Sequence, residues 1–176
     1  NYVIAQLIVE RATGRSLDDH IRDRLLTGGH GLDATYYSSG PYPDSILSQT
    51  VSSYMIGDGA DDKDAILKPL YGIDLRDQDP SWAMGAGAAI ATPENVTRWA
   101  RLLFTGDVLS EAERTDLTKL VSMTTGQPVD GATAGDRRAF GLGVGQTIVG
   151  GIRFWFYEGE PMGSRMFYGY FPDKDV

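Results

Sequence analysis

The chain has 176 residues, 41% hydrophobic and 10% aromatic, which is the make-up of a folded domain with a core and not of a disordered tail. With 24 acidic against 16 basic residues the formal net charge is −8, a sign that repels phosphate backbones and anionic lipid and argues against nucleic-acid or membrane-surface partners. No apolar run approaches the roughly 18–20 residues needed to span a bilayer, and the absence of cysteine excludes disulfides and thiolate metal sites. A cysteine-free chain is compatible with a periplasmic or secreted location, which is the expectation here, with a cytoplasmic one as the alternative.

Val3, Ile4, Leu7, Ile8 and Ala12 repeat at three-to-four spacing and predict a first helix, ended by Gly14. Ser16 is placed to cap a second helix, with Asp18 and Asp19 in its positive first turn and Gly28-Gly29 as its stop. Residues 31–80 are loop-rich, with Pro41, Pro43, Gly57 and Gly59, and a stretch of that kind usually borders a cleft. Residues 83–90 are small and apolar, suited to close backbone packing. Thr92-Pro93 starts a helix whose stripe is Val96, Trp99, Leu102, Leu103 and Phe104, and Gly106 ends it. Ser110 caps another helix, expected to run to about residue 121.

The period then changes from helical to strand-like. Residues 140–149, 152–157 and 164–171 read as three strands, the first two joined by a Gly150-Gly151 hairpin turn. Helices followed by an antiparallel meander give an α+β fold. The expected division is a mainly helical region over 1–138 with a long cleft-bordering loop, and a three-stranded antiparallel part over 139–176, both belonging to one catalytic domain.

Several chemical signals reduce to ordinary structure. Gly141-Leu142-Gly143-Val144-Gly145 resembles half a dinucleotide fingerprint, but a strand and not a helix follows it. His20 and His30 are the two histidines, one on a charged helix face and one in a glycine turn, and neither gathers the ligands a metal requires. Asp58, Asp61, Asp62 and Asp64 lack calcium-loop spacing and read as a solvated loop. No metal and no cofactor is expected. Tyr157-Glu158-Gly159-Glu160-Pro161 puts a glycine where a strand end could approach a ligand closely.

In order and spacing, these segments resemble the serine β-lactamase and penicillin-binding protein family, which includes D-alanyl-D-alanine carboxypeptidases and esterases. The run from Asn1 to Leu17 is similar to the stretch after that family's Tyr-x-Asn motif. Pro80-Ser81-Trp82-Ala83-Met84-Gly85-Ala86-Gly87-Ala88, continued by Ala91-Thr92-Pro93-Glu94-Asn95, resembles its cleft-bordering segment and next helix. Phe140-Gly141-Leu142-Gly143 is similar to the Tyr-Gly-Leu-Gly strand before its substrate-binding strand.

The resemblance implies a β-lactamase/transpeptidase-like fold, incomplete in this chain, with a Ser-x-x-Lys nucleophile region before residue 1 and a last strand and helix after residue 176. It implies no catalytic residue among residues 1–176, where Ser-x-x-Lys and Tyr-x-Asn do not occur. The third family motif, a Lys/His-Thr/Ser-Gly strand end, falls on Tyr157-Glu158-Gly159, a departure at two of three positions. Tyr157, Glu158, Gly159 and Glu160 are the expected substrate-binding residues, the Glu160 amide contributing to an oxyanion hole and Trp82 serving as a pocket wall. An anionic Glu158 about 4 Å from a substrate carboxylate would cost on the order of 4 kcal/mol at an effective dielectric near 20, roughly a thousandfold. Arg153 and Arg165 are the cations nearest in sequence that could offset it.

The expected function is therefore part of a serine hydrolase working through an acyl-enzyme on a small-molecule or peptide acyl substrate. The alternative is a non-catalytic penicillin-binding-protein-like binding domain. The remaining expected partner is a missing chain segment or subunit that completes the sheet.

Overall fold

A computed structural model describes residues 1–57 and 67–176 and divides the chain into two compact units. The acidic group Asp58, Asp61, Asp62 and Asp64 lies outside the described residues. The first unit is Asn1–Thr92 with Gly159–Met166, and the second is Pro93–Glu158 with Phe167–Val176. The division follows packing, not secondary-structure type, so helices expected with the 1–138 region share a unit with the sheet.

In the first unit, α1 (Tyr2–Thr13) is capped by Asn1, whose Oδ1 accepts from the Tyr2 amide at 2.8 Å, and Gly14 ends it at φ 69°. Ser16 caps α2 (Leu17–Ile21) by accepting from the Asp19 amide at 3.1 Å, and a π-helical turn, Arg22–Leu26, continues it. Strand β1 (Thr35–Tyr37) pairs antiparallel with β2 (Ala89–Ala91), a two-stranded ribbon that the loop-like composition hid. A short α3 (Asp44–Leu47) follows β1. Leu32, Leu75, Ala83 and Ala88 are buried in this unit.

The apolar stripe of α1 is not a buried one among the described residues. Ile4, Leu7 and Ile8 are more than half exposed, and the buried position is Gln6, facing the 3-10 turn Met84–Ala86. The contact is close because Gly85 has no side chain: a Cβ there would lie 2.9 Å from the Tyr2 carbonyl oxygen. Periodicity identified the amphipathic helix correctly but cannot say which neighbour its stripe meets. Met84 and Ala88 hold left-handed backbone (φ 46° and 63°), a conformation that costs a residue with a Cβ roughly 1–2 kcal/mol.

In the second unit, α4 (Pro93–Thr105) and α5 (Glu111–Leu117) precede the sheet. A full capping box starts α5: the Ser110 hydroxyl accepts from the Glu113 amide, and the Glu113 carboxylate accepts from the Ser110 amide. The Arg114 guanidinium donates to the carbonyls of Leu103, Gly106 and Leu109, satisfying acceptors that the end of α4 leaves open. Phe104 carries α4 onto the sheet, stacked on Tyr170 with ring centroids 5.0 Å apart and 5.3 Å from Trp155.

The sheet has six strands in the order β4-β3-β5-β6-β7-β8: β3 (Leu120–Ser122), β4 (Pro128–Val129), β5 (Arg138–Phe140), β6 (Gly145–Val149), β7 (Ile152–Gly159) and β8 (Met166–Tyr170). The strand expected over 140–149 is thus two strands joined by a tight turn through Leu142-Gly143, closed by the Gly141 amide donating to the Val144 carbonyl at 2.8 Å. The helix expected to reach residue 121 stops at Leu117, because the next residues enter the sheet as β3. Gly150 and Gly151 make the β6–β7 turn with φ 58° and 82°, the conformation their sequence promised.

Gly141 is fixed by space: a Cβ there would stand 2.3 Å from the Leu117 carbonyl oxygen, a backbone atom that cannot rotate away. Gly141→Ala is expected to destabilise the protein by about 1–3 kcal/mol in urea denaturation. Gly135→Ala, where a Cβ would meet nothing within 4 Å, is expected to leave the midpoint unchanged.

Candidate active-site rim

The substrate-binding expectation fell on the end of β7, and β7 owes its placement to a local hairpin. The β6–β7 register pairs Gly145 with Phe156 and Thr147 with Phe154, while β5 pairs Arg138 with Thr147 and Phe140 with Gly145. Arg138, Phe156 and Glu158 therefore come from the two strands that flank β6. Gly145, between those strands, contributes no side chain. A Cβ at Gly145 would lie 2.6 Å from the Phe156 ring, so the glycine is what lets that ring lie across the strand.

Over that ring sits a cation. The Arg138 guanidinium carbon is 4.9 Å from the Phe156 centroid, and an Arg138 terminal nitrogen donates to Glu158 Oε1 at 3.2 Å. The two side chains are 49% and 37% exposed, so the pair contributes on the order of 0.2–1 kcal/mol to stability. Its larger effect is on local charge. Met123, Arg138, Phe140, Phe156, Tyr157 and Glu158 line one cavity of about 150 Å³. The Phe140 and Tyr157 rings, 6.3 Å apart, form part of its wall.

The structure thus brings Tyr157 and Glu158 into one cavity and adds Arg138, which sequence reading missed. Of the cations proposed to offset Glu158, Arg153 is directed elsewhere: its Nε donates to the Ala132 carbonyl at 2.7 Å. Arg165 lies in the 159–166 segment of the first unit. Arg138 precedes Glu158 by 20 residues, and the register across two hairpins is the signal that could have found it.

Gly159 ends β7 half-buried, with only Met166 Cε near the position a Cβ would take, at 3.9 Å, and Glu160 beyond it is exposed. In the first unit, Trp82 closes the 3-10 helix Pro80–Trp82 and is 59% exposed, so it is not a core residue.

Other chemical signals settle into local roles. His20 Nε2 lies 2.9 Å from the Thr13 hydroxyl, and the 141–145 glycines serve the β5–β6 turn with no helix after them. Among the described residues no cluster of three or more His, Cys, Asp or Glu side chains is arranged to hold a metal. A second cavity of about 330 Å³ is bounded by Phe104, Trp155 and Tyr170 on one side and by Glu111, Thr115 and Thr118 of the α5 region on the other.

A sequence profile of the β-lactamase family matches residues 1–176. The chain belongs to the β-lactamase family. Solved structures share its fold, among them the following three. A D-stereospecific amidohydrolase from Streptomyces sp. superposes with a TM-score of 0.75 at 20% identity, covering 98% of this chain and 45% of that one. A D-amino acid amidase from Ochrobactrum anthropi SV3, complexed with D-phenylalanine, gives 0.73 at 22%, covering 99% and 47%. The octameric penicillin-binding protein homologue from Pyrococcus abyssi gives 0.66 at 15%, covering 99% and 35%. The chain spans less than half the length of each.

The fold is accordingly the helix-plus-antiparallel-sheet arrangement of β-lactamases and transpeptidases, in a family of serine hydrolases. Among the described residues no helix of this β-lactamase-family chain is long and apolar enough to cross a membrane.

Beside the rim, burial pushes the Tyr168 phenol up to about 12, and nearby Tyr157 adds to the shift. A phenol kept neutral by the fold stabilises it fully below the ordinary value of 10.0, and that contribution is lost as pH rises towards about 12. Burial pushes the Tyr37 phenol up to about 12 as well, so ultraviolet titration is expected to show late tyrosine ionisation that Tyr168→Phe reduces by one group and does not abolish, with part of the alkaline loss of stability disappearing alongside it.

Proposed function

We propose that residues 1–176 form the substrate-reading portion of a serine hydrolase that works through an acyl-enzyme. A lysine-activated serine of a Ser-x-x-Lys motif, supplied by polypeptide outside these residues, attacks the acyl carbonyl. The ester or amide bond breaks, the alcohol or amine leaves with the proton taken from serine, and water then hydrolyses the acyl-enzyme to the free acid and serine. Tyr157, Glu158, Gly159 and Glu160 line the cleft in this reading, with Trp82 as a wall and the Glu160 amide as an oxyanion donor. An amide donor of that kind depends on backbone position and tolerates the departures at the triplet.

The observation that carries the reading is the pairing of Glu158 with Arg138 in a cavity at the end of β7, where the family places its substrate-binding triplet. A carboxylate at the centre of that triplet disfavours substrates bearing their own carboxylate, as β-lactams and D-alanyl-D-alanine ends do. It suits a neutral ester or amide, or an amide whose acyl part carries an ammonium. The likeness to proteins described as a D-stereospecific amidohydrolase and a D-amino acid amidase supports an amide of this last kind.

Steady-state kinetics on the full-length protein test this. An amino-acid amide or short-chain p-nitrophenyl ester is expected to be turned over well ahead of a penicillin or cephalosporin, and equal rates would refute the substrate preference. Residues 1–176 alone are expected to be silent, since loss of the nucleophile of a serine hydrolase can cost on the order of 10⁶ in turnover.

The triplet's departures, tyrosine for lysine or histidine and glutamate for a hydroxyl residue, favour a second reading as a non-catalytic binding domain. Fluorophosphonate labelling of the full-length protein decides between them: a covalent adduct is expected for the enzyme and none for the binder.

A further inference from the structure

We infer that the cavity of about 330 Å³ between α5 and the sheet is a binding site for a neutral pyranose, a single sugar ring. All of its lining residues belong to the second unit, and none is among those read as cleft lining, so the acyl-enzyme reading and this site stand or fall separately.

The cavity has two unlike walls. One is aromatic and consists of Phe104 of α4, Trp155 of β7 and Tyr170 of β8. These rings hold one another in place: Phe104 stacks on Tyr170 at 5.0 Å and lies 5.3 Å from Trp155. The Tyr170 hydroxyl is tied down as well, donating to Asp175 Oδ1 at 3.0 Å. Side chains alternate along a strand, so Trp155 and its buried neighbour Phe156 project from opposite faces of β7. The aromatic wall is therefore on the side of the sheet that α4 covers.

The other wall is polar and comes from α5 and its C-cap: Glu111, Thr115 and Thr118. Each threonine hydroxyl donates to a carbonyl of its own helix, Thr115 to Glu111 at 2.9 Å and Thr118 to Arg114 at 2.8 Å. Their hydrogens are committed there, and what they offer the cavity is oxygen lone pairs. With the Glu111 carboxylate, this wall is a set of acceptors. Arg114 also borders the cavity, its guanidinium held by the carbonyls of Leu103, Gly106 and Leu109.

The combination selects among ligand classes. A wholly apolar ligand would cover acceptors that it cannot bond. An organic cation suits Glu111 and the rings but meets the charge of Arg114, and an anion meets that of Glu111. A pyranose answers every wall. Its hydroxyls donate to the carboxylate and to the threonine oxygens, and the C–H groups of one ring face pack on aromatic surface, whose electron-rich faces attract them. The volume lies near the lower end of the roughly 300–1,000 Å³ range of small-molecule sites, which gives room for one ring and not for a chain of rings.

Nuclear magnetic resonance of the isotope-labelled full-length protein tests this through the Trp155 indole N–H signal, identified by its absence from Trp155→Phe. The protein is titrated with methyl glucopyranoside, methyl galactopyranoside and methyl mannopyranoside, and with choline as the cationic comparison. At least one glycoside is expected to shift the signal saturably, with a Kd on the order of 1–10 mM. Glu111→Gln changes an exposed side chain that takes no part in the Ser110–Glu113 capping box, so the helix keeps its start. It is expected to weaken glycoside binding about tenfold, the loss of a hydrogen bond to a charged group. Absence of a saturable shift with all three glycosides overturns the site, as it would if polypeptide outside residues 1–176 fills the cavity. Saturation by choline alone overturns the ligand class, and glycoside binding that E111Q leaves unchanged overturns the role of the acceptor wall. Fluorophosphonate labelling of the same protein reports on the acyl-enzyme reading and moves independently of these shifts.

Discussion

The rim depends on the missing side chain of Gly145. The Phe156 ring crosses β6 at the position where that residue pairs with it, and any Cβ there would stand 2.6 Å from the ring. With the ring in place, a flat apolar surface lies between β5 and β7, and a planar cation from β5 can rest on it. The ion pair with Glu158 then follows from geometry: one guanidinium face meets the aromatic ring while an edge meets the carboxylate. A substitution at Gly145 would therefore change charge at the rim without touching a charged residue.

The same economy of backbone appears elsewhere. Gly141 lies against the Leu117 carbonyl and Gly85 against the Tyr2 carbonyl, each at a distance that forbids a side chain. Both contacts bring a loop onto the end of a helix. Arg114 does comparable work with hydrogen bonds, gathering three carbonyls at the end of α4 and the loop after it. The sheet can thus use short strands, because the turns between them are held by close backbone contact and by side chains that bond to it.

Much of this was legible in local sequence. The Ser16 and Ser110 caps, the Gly14 stop and the Gly150-Gly151 turn each depend on a few neighbouring residues, and each appears where its chemistry puts it. The short strands β1, β2, β3 and β4 escaped notice because two or three residues are too few to establish a period. The exposed stripe of α1 shows a second limit: periodicity reports that a helix has an apolar side, not what that side meets. At the candidate rim, Tyr157 and Glu158 were found through their place in an ordered set of motifs. Arg138 was not, since its relation to Glu158 exists only once two hairpins have aligned their registers.

Arg138 and Glu158 meet across 20 residues of chain, so the charge at this strand end is set by two separate positions. A lineage that alters one alone passes through a form whose net charge at this strand end has moved by one unit. Returning to neutrality requires the second change, so the order in which the two arise decides the sign of the charge passed through on the way. Gene duplicates that differ at only one of these codons would then be expected to differ in local charge while folding alike, because the partly exposed pair adds little to stability.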